Sequence, residues 1–169
     1  MSALIVTARL GNGDAGWLTA ERQAHFPPER NHLPAHLTMF HALPPSSEAE
    51  AVGLLKRIAA SEPPPEARIS ELYSLGRGVA YRVRSPALEA IREEIAEAFH
   101  GLLSAQDAGG WRPHVTIQNK VEPKEAKALL QAKQAPFEPR PLSITGLSLH
   151  RYLGGPWEEI GSWSFRGAG

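Results

Sequence analysis

The chain contains no cysteine. That absence excludes disulfides, thiolate zinc sites and cysteine nucleophiles, and it is compatible with a reducing compartment. There is no excess of charge either: 18 Lys and Arg balance 18 Asp and Glu, giving a formal net charge of +0. Proteins that wrap long nucleic acids usually carry a basic excess, because phosphate neutralisation supplies much of their affinity. Any nucleic acid handled here is therefore expected to be a short piece, an end or a nucleotide. Long apolar runs are also missing, and no stretch approaches the ~18 residues needed to span a bilayer. The run "ALIVTARL" is too short for a signal peptide and is interrupted by Thr7 and Arg9. A soluble, cytoplasmic protein with no membrane partner is expected. The glycines of "GNGDAG" are not followed by Gly-Lys-Ser/Thr, so no ATP site is supported and no cofactor is called for.

What is present suits a single domain over residues 1–169, built of two lobes. Residues 3–10 read as a strand ended by Gly11-Asn12-Gly13-Asp14, with a helix from about Trp17 to His25. Ser47-Glu48-Ala49-Glu50 has capping-box spacing ahead of a helix over 48–61. Strands over 67–75 and 78–84 are joined by Gly76-Arg77-Gly78. Ser85-Pro86 starts a helix whose stripe of Leu88, Ile91, Ile95, Phe99 and Leu102 runs to 103, followed by a loop over 104–110. A helix from Pro123 to about 134 and strands near 141–150 and 157–165 complete the chain. The order β-α-β-α-β-β-α-β-α-β-β predicts an α+β fold with antiparallel sheets.

Two stretches echo one another: Pro34-Ala35-His36-Leu37-Thr38-Met39-Phe40 and Arg112-Pro113-His114-Val115-Thr116-Ile117-Gln118. Each has a His-x-Thr within a strand-like segment between helices. With seven His and five Thr in the chain, two or more such spacings arise by chance in roughly 2% of shuffled sequences. The pair therefore carries more weight than either copy. In a strand, alternate side chains share a face. On that basis His36, Thr38 and Phe40 point one way, and so do His114, Thr116 and Gln118. Two imidazoles can take and give protons near neutral pH, and two hydroxyls can hold phosphoryl oxygens. Together they form a set for metal-free, in-line displacement at a phosphodiester.

These motifs resemble the 2H phosphoesterase superfamily, which includes bacterial 2′-5′ RNA ligase-like proteins and cyclic phosphodiesterases. The resemblance implies two pseudo-symmetric lobes, each an antiparallel sheet with helices packed on the outside, around a central cleft. It implies that His36 and His114 are catalytic, that Thr38 and Thr116 bind phosphate, and that no metal is needed. The expected substrate is a 2′,3′-cyclic phosphate on a nucleotide or a short RNA end, opened to a 2′-phosphomonoester. Reverse 2′-5′ joining without ATP is open to the same site. His114 is assigned as base and His36 as acid. RNA-acting members often carry Arg three positions after the second Thr, where this chain has Asn119, which leaves the specific substrate open.

Beyond the motifs, Phe40, Gln118, and Tyr81 with Arg82 or Arg84 in "VAYRVR" are candidates to line the site, the last equally explained as an exposed charged edge, and Arg112 and Lys120 are candidates to raise its potential. His32, His36 and His41 are set aside as a zinc site, because strand parity separates His36 from His41 and no acidic residue lies among them. His25, His100 and His150 are expected at the surface, and Trp157 and Trp163 in hairpin packing. A monomer is expected. The competing readings are a non-catalytic module that binds nucleotides or RNA ends in the same cleft, and a metal-dependent hydrolase.

Overall fold

The computed structural model describes residues 2–168. Its elements are β1 (Leu4–Leu10), α1 (Asn12–His25), β2 (Leu37–Leu43), α2 (Glu48–Ser61), β3 (Arg68–Ser74), β4 (Val79–Arg84) and α3 (Pro86–Ala98). A single turn α4 (Ala105–Ala108) follows, then β5 (His114–Gln118), α5 (Pro123–Gln134), β6 (Arg140–Pro141), β7 (Ile144–Tyr152) and β8 (Trp157–Ser164). One sheet runs β2-β1-β7-β8 and the other β5-β4-β3-β6. All neighbouring strands are antiparallel. This is the two-lobed α+β architecture expected from the sequence.

The first sheet draws its strands from both ends of the chain, and the second from the middle. Helix α2 packs on β7 and β8, and α5 on β3 and β4. Helix α1 follows β1 in sequence yet packs on β5 of the other sheet. The lobes thereby share one continuous cluster of buried apolar side chains, from Leu4 and Val6 through Ile69 and Ile95 to Phe165. Apolar burial of this kind is the main favourable contribution to folding.

Three local expectations change. Helix α1 begins at Asn12, five residues before the expected Trp17. Its start is held by tertiary contacts: the Gly11 N–H donates to the Ser143 carbonyl (2.9 Å), and the Ser143 N–H donates to Asp14 Oδ2 (2.7 Å). A Cβ on Gly11 would lie 2.5 Å from Ser143 Oγ, so the close approach requires glycine. Ser85 caps α3 as expected, accepting from the Leu88 N–H, but Ser47 makes no capping bond to α2. Helix α3 stops at Ala98, and the expected loop over 104–110 contains α4. Asp107 in α4 is 1% exposed and accepts the N–H groups of His41 and Ala42.

Candidate active site

The two His-x-Thr stretches lie at edge strands, His36 immediately before β2 and His114 opening β5, and these strands meet where the two sheets adjoin. Each strand carries a β-bulge at the same place. Thr38 pairs with Thr7 and Phe40 with Val6, so Met39 is an extra residue. Thr116 pairs with Ala80 and Gln118 with Val79, so Ile117 is extra. The bulge reverses the alternation. His36 and Thr38 stay partly exposed, then Met39 and Phe40 both enter the core; His114 and Thr116 stay partly exposed, then Ile117 and Gln118 do the same. The expectation that Phe40 and Gln118 share the motif face is therefore corrected. Phe40 is 0% exposed beneath the Arg92 guanidinium, 4.4 Å from its ring centre. Gln118 is buried, and among the described residues its Oε1 has no hydrogen-bond partner. The parity argument that separated His36 from His41 lapses for the same reason. The His41 ring and backbone are instead held by Asp107.

A bulge also frees backbone groups from the ladder, and buried carbonyls need donors. These donors come from the opposite half of the chain. Trp111 Nε1, just before the second motif, donates to the Thr38 carbonyl (3.0 Å). Arg22 Nη1, on the helix before the first motif, donates to the Thr116 carbonyl (3.1 Å). Arg22 Nε also donates to the Leu33 carbonyl (3.2 Å) and Asn31 Oδ1 (3.2 Å) in the segment leading to His36. Burial pulls the Arg22 pKa down to about 10, which leaves it charged at neutral pH. Sequence reasoning missed Arg22 and Trp111, because no motif marks a side chain that recognises a distant carbonyl.

The two imidazoles are oriented alike. His36 Nδ1–H donates to the Pro34 carbonyl (2.9 Å), and His114 Nδ1–H donates to the Arg112 carbonyl (2.7 Å). Since a carbonyl only accepts, the neutral rings carry their proton on Nδ1 and keep the Nε2 lone pair free. His36 sits against the Trp157 ring, with centroids 4.6 Å apart. Burial lowers its pKa from 6.5 to about 4; the Pro34 hydrogen bond opposes this, while the charges of Arg22, His150 and His114 add to it.

Around His36, the first sheet presents a polar face. Thr38, Thr7, Ser148 and Ser162 form one cross-strand row. Thr7 Oγ1 lies 3.1 Å from His150 Nε2, and Ser148 Oγ lies 2.9 Å from Ser162 Oγ. Arg9 Nη1 donates to Ser162 Oγ (2.8 Å). His150, expected at the surface, belongs to this face. Burial lowers its pKa, opposed by Glu159. Trp157, expected in hairpin packing, has its ring against both the His36 ring (centroids 4.6 Å apart) and the His150 ring (5.3 Å). A cavity of about 360 Å³ beside His36 is lined by Thr7, Ser148, His150, Trp157 and Glu159 among others. The alternation of Ser148 and His150 along β7 is the sequence signal that identifies this face.

Around His114, Arg82 is the register partner on β4, and Thr116 continues through Ala80 to Tyr73. The Tyr73 ring stands edge-on to His114 at 6.1 Å, under the Arg82 guanidinium at 5.1 Å. Arg82 Nε lies 3.0 Å from Glu71 Oε1 but is not aligned for a hydrogen bond. Tyr81 faces the other way. Its hydroxyl donates to Glu21 Oε1 (2.6 Å), its ring packs on Trp17 and Phe137, and its pKa is raised by burial and by Glu21. The sequence therefore placed Arg82 beside the motif and Tyr81 wrongly, and it passed over Tyr73. Asn119 uses its Oδ1 to accept from the Lys120 N–H, at a residue with φ of 63°.

Comparisons with known proteins bear on the family and the fold. The family model described as the 2′-5′ RNA ligase superfamily matches residues 13–156. No curated protein matches the chain. Among solved structures, TT0787 of Thermus thermophilus aligns over 99% of this chain and 100% of its own, at 18% identity and a TM-score of 0.68. E. coli LigT complexed with 3′-AMP aligns over 97% and 98%, at 17% identity and a TM-score of 0.64. E. coli LigT complexed with NADP+ aligns over 98% of each chain, at 16% identity and a TM-score of 0.61. At these identities the likeness is one of fold.

Proposed function

Because the chain belongs to the 2′-5′ RNA ligase superfamily of 2H phosphoesterases, we propose that it is a metal-independent phosphodiesterase opening 2′,3′-cyclic phosphates on nucleotides or RNA ends. The observation that carries this reading is the duplicated unit. Each copy has an imidazole pinned through Nδ1 to the carbonyl two residues back, a threonine on the same face and a bulge directly after it. That E. coli LigT binds 3′-AMP and NADP+ supports a nucleotide ligand.

In the proposed reaction, water attacks phosphorus while one imidazole Nε2 takes its proton. The bond from phosphorus to the ribose 3′-oxygen breaks, and the other imidazole protonates that oxygen, leaving a 2′-phosphomonoester. The Thr38 and Thr116 hydroxyls donate to the non-bridging oxygens, where charge accumulates. With an RNA 5′-hydroxyl in place of water as the nucleophile, the same steps form a 2′-5′ linkage and leave a free 3′-hydroxyl. The low basicity of His36 favours the opposite of the assignment made from sequence. A ring that burial holds neutral enters the reaction as base, which leaves His114 as acid.

The test is turnover of 2′,3′-cyclic nucleotides and cyclic-phosphate RNA ends in the presence of EDTA, with the product phosphate located by NMR. His36→Ala and His114→Ala are each expected to lower kcat at least about 100-fold, the usual scale of general acid–base catalysis. Saturable binding without turnover would instead indicate a binding module, and loss of activity with EDTA a metal-dependent hydrolase.

A further inference from the structure

A groove of about 830 Å³ opens on the second lobe, next to His114 and away from the His36 cavity. Arg82 and Arg112 border it, the first being the register partner of His114 and the second carrying the carbonyl that holds the His114 ring. Arg84 lies two residues beyond Arg82 on β4, and Arg68 pairs with it across β3, so all three share a face of the second sheet. The groove thus continues directly from the catalytic face.

Four arginines line this groove against two carboxylates, Glu66 and Glu89, in a chain whose formal net charge is +0. Among the described residues, the guanidinium groups of Arg68, Arg84 and Arg112 make no ion pair and no hydrogen bond, and all three residues are exposed. Unpaired, exposed guanidinium groups in one concavity raise its positive potential and suit bidentate contacts to phosphate oxygens. Trp111, half-buried and with the Arg92 guanidinium 5.6 Å from its ring centre, also lines the groove. Positive charge along a channel with an aromatic side chain is the common design for single-stranded nucleic acid.

We infer that this groove is a binding site for the phosphodiester backbone of a single-stranded RNA whose cyclic end lies between His36 and His114. The site deepens the phosphoesterase reading above and rests on it for the chemistry. It makes an oligoribonucleotide, and not a free mononucleotide, the preferred substrate. It also accounts for a locally basic track in a protein without overall positive charge.

The test uses Arg68→Gln and Arg84→Gln, singly and together, both outside the catalytic machinery. Anisotropy of a labelled single-stranded oligoribonucleotide ending in a 3′-phosphate reads the groove without turnover. Each phosphate contact contributes about 0.7 to the slope of log K against log salt, so the double variant is expected to lower that slope by about 1.4 and to weaken binding several-fold. Its kcat/KM on a 2′,3′-cyclic mononucleotide should stay at the wild-type value, while kcat/KM on the cyclic-ended oligomer falls. Equal losses on both substrates, or an unchanged salt slope, would overturn the groove even with the phosphoesterase intact. Turnover of neither substrate would sink the phosphoesterase reading, whereas the anisotropy would still decide the groove. Binding to phosphatidylserine vesicles but not to the oligomer would refute the proposal in favour of a membrane surface.

Discussion

Replacing Arg22 by methionine tests the idea that the two motifs are held in place by donors from opposite halves of the chain. Arg22 is 4% exposed and makes three hydrogen bonds, two of them to the backbone carbonyls of Leu33 and Thr116. Methionine fills comparable space but donates nothing. Each buried carbonyl left unpaired costs about 1–3 kcal/mol. Relief from burying a cation offsets part of this, and the Asn31 amide can turn to water. A net loss of about 3 kcal/mol is expected. For a domain of this size, with Tm falling about 2–4 °C per kcal/mol, Tm should drop by about 6–12 °C. A second readout separates positioning from bulk stability. The Arg22 charge depresses the His36 pKa, so an NMR titration of the variant, well below its Tm, should show His36 more basic than in the wild type. The kcat on a cyclic nucleotide should also fall, because Thr116 loses the donor that fixes its strand. A Tm within about 2 °C of wild type, with an unmoved His36 titration and unchanged kcat, would refute the argument.

Two further outcomes follow from the site. His36 has its pKa lowered to about 4, so it stays neutral as pH falls from 7 until that region. As the base, it should sustain kcat/KM down to about pH 5 and lose it only near pH 4. If it had to be protonated in the free enzyme, kcat/KM would fall tenfold per unit above about pH 4, and a pH profile on a cyclic nucleotide distinguishes the two. Phe40 is a core residue and not a cleft residue. Phe40→Leu should therefore lower stability by about 1–2 kcal/mol in urea unfolding and leave KM for the cyclic nucleotide unchanged.

The sequence by itself determined the parts of this protein that depend on local pattern. The apolar stripe of α3, the Ser85-Pro86 start and the Gly76-Arg77-Gly78 turn follow from side-chain spacing and backbone preference, and so the α+β order was legible. The two His-x-Thr units were legible because the same short pattern occurs twice, and the proposed displacement at phosphorus would use such a pair, with a proton taken on one side and given on the other. Within each motif, period-two alternation correctly put His36 with Thr38 and His114 with Thr116. One residue further it failed, because each edge strand carries an extra residue that turns Phe40 and Gln118 into the core. A bulge is set by how a strand meets its neighbour, and that neighbour is remote in the chain. The same holds for Arg22 and Trp111, which recognise carbonyls 94 and 73 residues away. It holds for His150 and Trp157, which join the site only because β7 and β8 pair beside β1. In sequence, Arg112 stands out only as a flank of the second motif and Arg84 only through "VAYRVR", and Arg68 is an ordinary surface charge. Only the pairing of β3, β4 and β5 lines them up beside His114, because pairing alone decides which charges share a face.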